Sequence, residues 1–203
     1  MKLKYISYLG FLFGINFVLR YPLFPYEHGS DSFGNHVHTL SIMNDGYYGN
    51  YINFFSYFGL YPGSVNSGSL FLLASFSSLT SLSVHSSIFL LQTLLVFLSA
   101  SAFFLFSYNI HRDILFALIS AVLYTTSRDV LIFTTWTFSF RGLYLSLFPL
   151  FLLFAIRSLN KFNIKEISFF ILYTLLLFSI HRMAFFNLLI FISMLLVYIH
   201  RNT

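Results

Sequence analysis

Apolar residues run through this chain in long blocks with little punctuation. Blocks at 5–19, 84–108, 114–126, 142–156, 167–180 and 183–199 carry almost no charge, and short polar stretches separate them. A helix needs about 20 apolar residues to cross a bilayer's hydrocarbon core. Several blocks are shorter, so flanking Tyr, Ser and Thr extend them or the helices tilt against their neighbours. The pattern predicts an all-α polytopic membrane protein, one transmembrane domain over 1–203 with about six spans. The stretch LFLLASFSSLTSL, 70–82, is short and rich in serine and reads as an interfacial helix leading into the second span.

Between the first block and that helix lies a long, more polar segment, 20–69. It is predicted to be the first extracytoplasmic loop, carrying short interfacial helices. Within it, Ser30 or Asp31 is placed to cap a helix that runs to about Asn44 and stops at Asp45-Gly46. YYGNY and YFGLYPGSVNSG read as turn-rich, membrane-hugging loop with aromatic anchors. The segment RDVLIFTTWTFSFR, 128–141, is too apolar for a soluble loop and is expected to dip into the interface.

Composition supports the membrane reading. Of 203 residues, 58% are hydrophobic and 8% charged, against about a quarter charged in soluble domains. Too few polar residues exist to cover a water-facing surface. The net charge of +5 is no nucleic-acid footprint, because the basic residues fall singly at block ends. There is no cysteine, hence no disulfide framework. The opening MKLK and its apolar run resemble a signal peptide, but RYPLFP follows in place of a small-x-small cleavage site, so the run reads as a retained span.

Basic residues also orient the chain. With the N-terminus cytoplasmic, inside segments hold Lys2, Lys4, Arg112, Arg157, Lys161, Lys165 and Arg201, and outside segments hold Arg20, Arg128, Arg141 and Arg182. The cytoplasmic bias is concentrated in the loop 157–166. The expected location is the plasma membrane.

Candidate chemistry concentrates in the first outer loop, where Glu27 and His28 precede GSDSFGNHVH. Asp31, Asn35 and His38 stand at i, i+4 and i+7, one helical face. Asp31 falls in the first turn, where the helix dipole favours the carboxylate. That suits a general base or metal ligand, and equally a helix cap. His36 and His38 diverge by about 200° on a helix, so the pair does not make a zinc site. A weakly held Mg²⁺ or Mn²⁺ on Asp31, with partners from elsewhere, is the metal reading that remains.

Arg141 opens an apolar span, where it either snorkels to headgroups or grips an anionic phosphate at membrane depth. His181-Arg182 interrupts an apolar run with almost no loop, at the same outer level. Trp136 and the tyrosines read as interface anchors, although aromatics also stack on sugars. NSGS, 66–69, lacks the context of an intramembrane serine protease, and GSVNSGS lacks the lysine of a phosphate loop.

The first span, then GSDSFGNHVHTLSIMNDGYYGNY and YPGSVNSGSLFLLASFSSLTSL, resembles integral-membrane glycosyltransferases of the GT-C superfamily. The likeness is to prokaryotic, particularly archaeal, members related to dolichyl-phosphate-mannose mannosyltransferases and oligosaccharyltransferases. TTWTFSFRGLYLSLFPLFLLFAIR and SIHRMAFF share it. The resemblance implies a polyprenyl-phosphate-linked sugar as donor. Asp31 matches the first-loop acid that accepts the acceptor's proton, directly or while holding a divalent ion. His36 or His38 matches the following His, and the catalytic pair carried forward is Asp31 and His38. Arg141, with His181 and Arg182, would stabilise the donor phosphate, and apolar grooves would hold the lipid tail. The superfamily core usually has more spans than the number counted here. The chain therefore reads as an N-terminal piece of a longer protein or a reduced member, completed by the remainder or a membrane partner subunit. The competing reading is a small six-span transporter or solute-binding membrane subunit without catalytic activity, whose polar residues would converge near the midplane.

Cysteines introduced as Ser41→Cys and Asn163→Cys test the topology. An impermeant thiol reagent applied to intact cells is expected to label the first and spare the second, and labelling of the second from outside would reverse the orientation.

Overall fold

The structure is a computed structural model and describes residues 2–21, 26–46, 68–160 and 163–202. The expected turn-rich loop around YYGNY and YPGSVN lies outside the described residues. Among those described, all regular structure is helical: α1 (Lys2–Arg20), α2 (Ser30–Asp45), α3 (Gly68–Thr80), α4 (Val84–His111), α5 (Ile114–Thr126), α6 (Arg128–Thr134), α7 (Phe140–Asn160), α8 (Ile164–Ile180) and α9 (Phe185–Asn202), with a 3₁₀ turn at Arg182–Ala184.

The polar marks between blocks are helix caps. Ser83 Oγ accepts from Ser86 N–H at the start of α4, Asp113 from Phe116 N–H at 2.7 Å before α5, and Asn163 from Glu166 N–H at 2.9 Å before α8. Helix α2 departs from the expected cap. It starts on Gly29, at φ 88°, with no side-chain cap. Neither Ser30 nor Asp31 caps it, because His28 N–H is tied to Trp136 O at 3.1 Å and the chain turns into the helix through a positive φ that suits glycine. Its end is as expected: Gly46, at φ 76°, closes α2 through its N–H to Ile42 O.

Three helices are long and apolar enough to cross a membrane: Val84–His111, Phe140–Asn160 and Arg182–His200. A fourth span results if the pair Ile114–Thr126 and Arg128–Thr134, bent by 57°, is one broken span. Ile6–Arg20 and Gly68–Thr80 are shorter apolar helices, and α8, with 17 residues, rises about 26 Å against about 30 Å of hydrocarbon. The described helices thus show three or four membrane-capable elements where block counting expected about six.

Helices α4 and α7 form the centre of the bundle. Phe138, Leu143 and Phe151 pack with Ile88 and Leu91 of α4 and Leu177 of α8 in the main core. A second cluster joins Leu12 of α1, Ala100 and Phe104 of α4, and Ala117 and Ala121 of α5; its alanines let the backbones approach closely. Outward faces of α8 and α9 remain apolar and exposed, as at Leu172, Leu175, Leu189 and Leu196. Short connections make α4, α5, α7, α8 and α9 alternate in direction. This brings the end of α1, helix α2, the start of α4, the link 135–139 and the junction at His181 to one end of the bundle.

The tightest approach there is Gly142 of α7 against α6. A Cβ on Gly142 would lie 2.0 Å from the carbonyl oxygen of Phe133, whereas one on Gly34 would meet nothing within 4 Å. Gly142→Ala is therefore expected to destabilise by about 2–3 kcal/mol, while Gly34→Ala, on an open helix face, gains up to about 1 kcal/mol. Thermal unfolding in detergent measures both, and equal melting of the two variants would refute the close approach.

Candidate functional site

The site is built around the non-helical link 135–139, most of which is buried. Buried backbone groups require partners, and α2 and α4 supply them. His28 N–H donates to Trp136 O, Gln92 Nε2 to Thr137 O at 3.0 Å, and Asn35 Nδ2 to Phe138 O at 2.9 Å. Phe138 N–H donates to Ser32 Oγ at 3.0 Å. Trp136 sits at φ 46°, a left-handed conformation rare for an aromatic residue. On the far side of α6, buried Arg20 donates to Thr134 Oγ1, Asn16 Oδ1 and Thr125 O at 2.7–2.9 Å. The Thr125 carbonyl belongs to the last turn of α5, beside the bend, where helical partners run out.

Ser32 has a second bond. Its hydroxyl donates to Glu27 Oε2 at 2.5 Å, and His36 Nδ1 faces Glu27 Oε1 at 2.5 Å. Glu27 is 4% exposed, and His36 is its partner at Oε1. Both carboxylate oxygens are therefore engaged, which keeps a buried charge tolerable. A pocket of about 460 Å³ adjoins the pair, with Phe33, Val37 and Leu40 of α2 on one wall and His85 of α4 on another. The His85 ring lies 4.8 Å from the Trp136 ring and 6.3 Å from Tyr26.

The face Asp31–Asn35–His38 is divided by this arrangement. Asn35 is buried and committed to the link, Asp31 is exposed, and His38 is half-buried, with burial lowering its pKa from 6.5. Among the described residues no three His, Cys, Asp or Glu gather as a metal-binding set.

Arg141 and Arg182 both lie near His181. His181 Nδ1 accepts from Met183 N–H at 3.0 Å, which leaves the proton of the neutral ring on Nε2. Burial lowers the His181 pKa from 6.5, and the positive charges of Arg141 and Arg182 lower it further. Arg141 is exposed, with its guanidinium 4.7 Å above the Phe133 ring. The His181 ring packs 5.8 Å from Tyr144, whose hydroxyl donates to Asn187 Oδ1 at 2.6 Å. Asn187 is fully buried and its Nδ2 has no partner.

Glu27, Arg20 and Gln92 are the residues that sequence reasoning left without a role in the site. Glu27 precedes the helix, so no helical periodicity links it to His36. The available signal was the i, i+4 pair Ser32 and His36, with an acid just ahead of the first turn. No protein-family model, curated protein or solved structure matches this chain.

The lowered pKa of His181 has a signed consequence. Between that lowered value and the ordinary 6.5, the unfolded chain binds more protons than the folded one. Stability from this group is therefore present above about 6.5 and lost as pH falls through the folded value. Histidine NMR titration is expected to place His181 below 6.5, and Arg141→Gln should move it upward. An unmoved titration would separate the two side chains.

Proposed function

We propose that this protein transfers a sugar from a polyprenyl-phosphate-linked donor to an acceptor, on the extracytoplasmic side of the plasma membrane, with its N-terminus in the cytoplasm. The observation that carries the reading is that Arg141 and Arg182 both lie near enough to His181 for their charges to lower its pKa, with no acidic side chain paired to either arginine among the described residues. Like charges held together at the end of an apolar bundle repel one another until an anion sits between them. A phosphate monoester or diester is the anion that guanidinium groups hold best, and it is also the group that departs in this reaction. Preorganised positive charge stabilises the negative charge that develops on the departing phosphate. Next to the cluster, Phe185, Phe186 and Leu188 expose apolar surface that suits a polyprenyl tail.

On the other side of the link stand the acids and histidines of α2, the groups from which a proton acceptor would come. The transporter reading has less support. The buried charged residues among those described, Arg20 and Glu27, lie at the same end of the bundle, not midway along it.

Binding of undecaprenyl phosphate to the protein in nanodiscs tests the phosphate site apart from catalysis. Arg141→Lys keeps the charge but loses the planar fork, and is expected to weaken binding about tenfold. Bound phosphate should also raise the His181 pKa. Equal affinity in wild type and Arg141→Lys, with His181 unmoved, would reduce Arg141 to an interfacial anchor.

A further inference from the structure

We propose that the pocket beside Glu27 and His36 holds the acceptor, that this acceptor is a lipid-borne alcohol, and that His36 takes its hydroxyl proton. The inference rests on the transferase reading and adds to it the acceptor's class and the identity of the base.

The wall chemistry selects the class. The pocket measures about 460 Å³, and its α2 side is Phe33, Val37 and Leu40. A sugar or peptide acceptor would bring many hydrogen-bonding groups against a wall with few to answer them, at a cost for each group left unpaired. An alcohol on an apolar body brings one. The same three residues are 53%, 64% and 41% exposed and stand at i, i+4 and i+7, a single stripe on α2. An apolar stripe on a short helix at the end of a membrane bundle lies toward the lipid. The pocket therefore opens on the side from which a lipid-borne molecule arrives.

The base follows from hydrogen-bond geometry. Glu27 accepts from Ser32 on one oxygen and faces His36 Nδ1 with the other, so the carboxylate is occupied. It fixes the ring and tautomer and leaves Nε2 as the nitrogen free of Glu27. His36 lines the pocket, and Asp31 stands exposed on α2, with no side chain among the described residues orienting it. In the transfer step the acceptor oxygen attacks C1 of the sugar. The C1–O bond to phosphate breaks with its electron pair passing to the phosphate oxygen, and the hydroxyl proton goes to His36 Nε2. Glu27 stays hydrogen-bonded to Nδ1 of the imidazolium and orients it. Glu27 is thus a positioning residue and His36 the catalytic one.

The test uses the protein in nanodiscs and two photoreactive probes, a diazirine-bearing decyl alcohol and the corresponding diazirine-bearing decane. The alcohol is expected to label the pocket residues about tenfold more than the decane, as one hydrogen bond allows. His36→Gln should abolish that preference and leave decane labelling unchanged, and Val37→Trp, at an exposed position, should block both probes. Equal labelling by the two probes, or labelling spread along the lipid-facing helices, overturns the acceptor site whether or not transfer occurs. Sugar transfer from a polyprenyl-phosphate donor then tests the base. His36→Gln is expected to lose at least about 100-fold, the lower range for a general base. Glu27→Gln should lower kcat while leaving KM for the acceptor nearly unchanged, as loss of ring orientation without loss of the pocket requires, and Asp31→Asn should stay within a few-fold of wild type. Loss confined to Asp31→Asn gives the proton to Asp31 and overturns the assignment to His36. Alcohol labelling without any transfer in the wild type refutes the transferase reading and the proton transfer together, while supporting the alcohol site.

Discussion

A stretch of non-helical backbone buried at the end of an apolar bundle must have its N–H and C=O groups answered by side chains or neighbouring backbone, because no water is there to do it. In this protein that stretch is the link 135–139. Ser32, Asn35, Gln92 and the His28 amide answer it at Phe138, Thr137 and Trp136. Each bond contributes about 1 kcal/mol net, but leaving one of these groups buried and unpaired costs about 1–3 kcal/mol. The set is therefore close to all-or-none, and it pins α2 to the top of α7.

From that attachment the remaining geometry follows. Ser32 reaches both the link and Glu27, so the hydrogen bond that fastens α2 also orients the carboxylate that holds His36. The link ends at Phe140, where α7 begins, and Arg141 is the next residue. Helix α2 and the start of α7, with Arg141, are thereby tied to the same short buried segment. Arg20 does parallel work behind α6 by capping the Thr125 carbonyl at the bend and bonding Thr134. Its buried guanidinium has carbonyl and amide partners in place of a carboxylate.

Much of this was legible in the chain before any coordinates. Charge-free blocks announced α4, α5, α7, α8 and α9, and Asp45-Gly46 announced the end of α2. These are local signals, one of period and one of backbone conformation. The number of spans was less legible, since block counting cannot tell a short apolar helix such as Gly68–Thr80 from one that crosses the bilayer. Local rules also misplaced the start of α2. The residue at that cap is set by the His28–Trp136 bond, which joins positions far apart in sequence. Arg20 looked like one more boundary charge, and only the bend between α5 and α6 explains its burial. Arg141, His181 and Arg182 stood out by position alone, because interruptions of long apolar runs are few. Glu27 escaped for the opposite reason: it lies in a polar segment where one more acid is unremarkable.

Hydrogen exchange at the link tests the central claim most directly. If α2 side chains satisfy the link, the Phe138 amide is protected in the native protein, and Ser32→Ala, which removes its acceptor, speeds its exchange about tenfold, in line with one lost hydrogen bond. Amides in the middle of α7 should be unchanged in the same sample. Fast exchange of Phe138 in the wild type, or a rate indifferent to Ser32→Ala, would contradict the account.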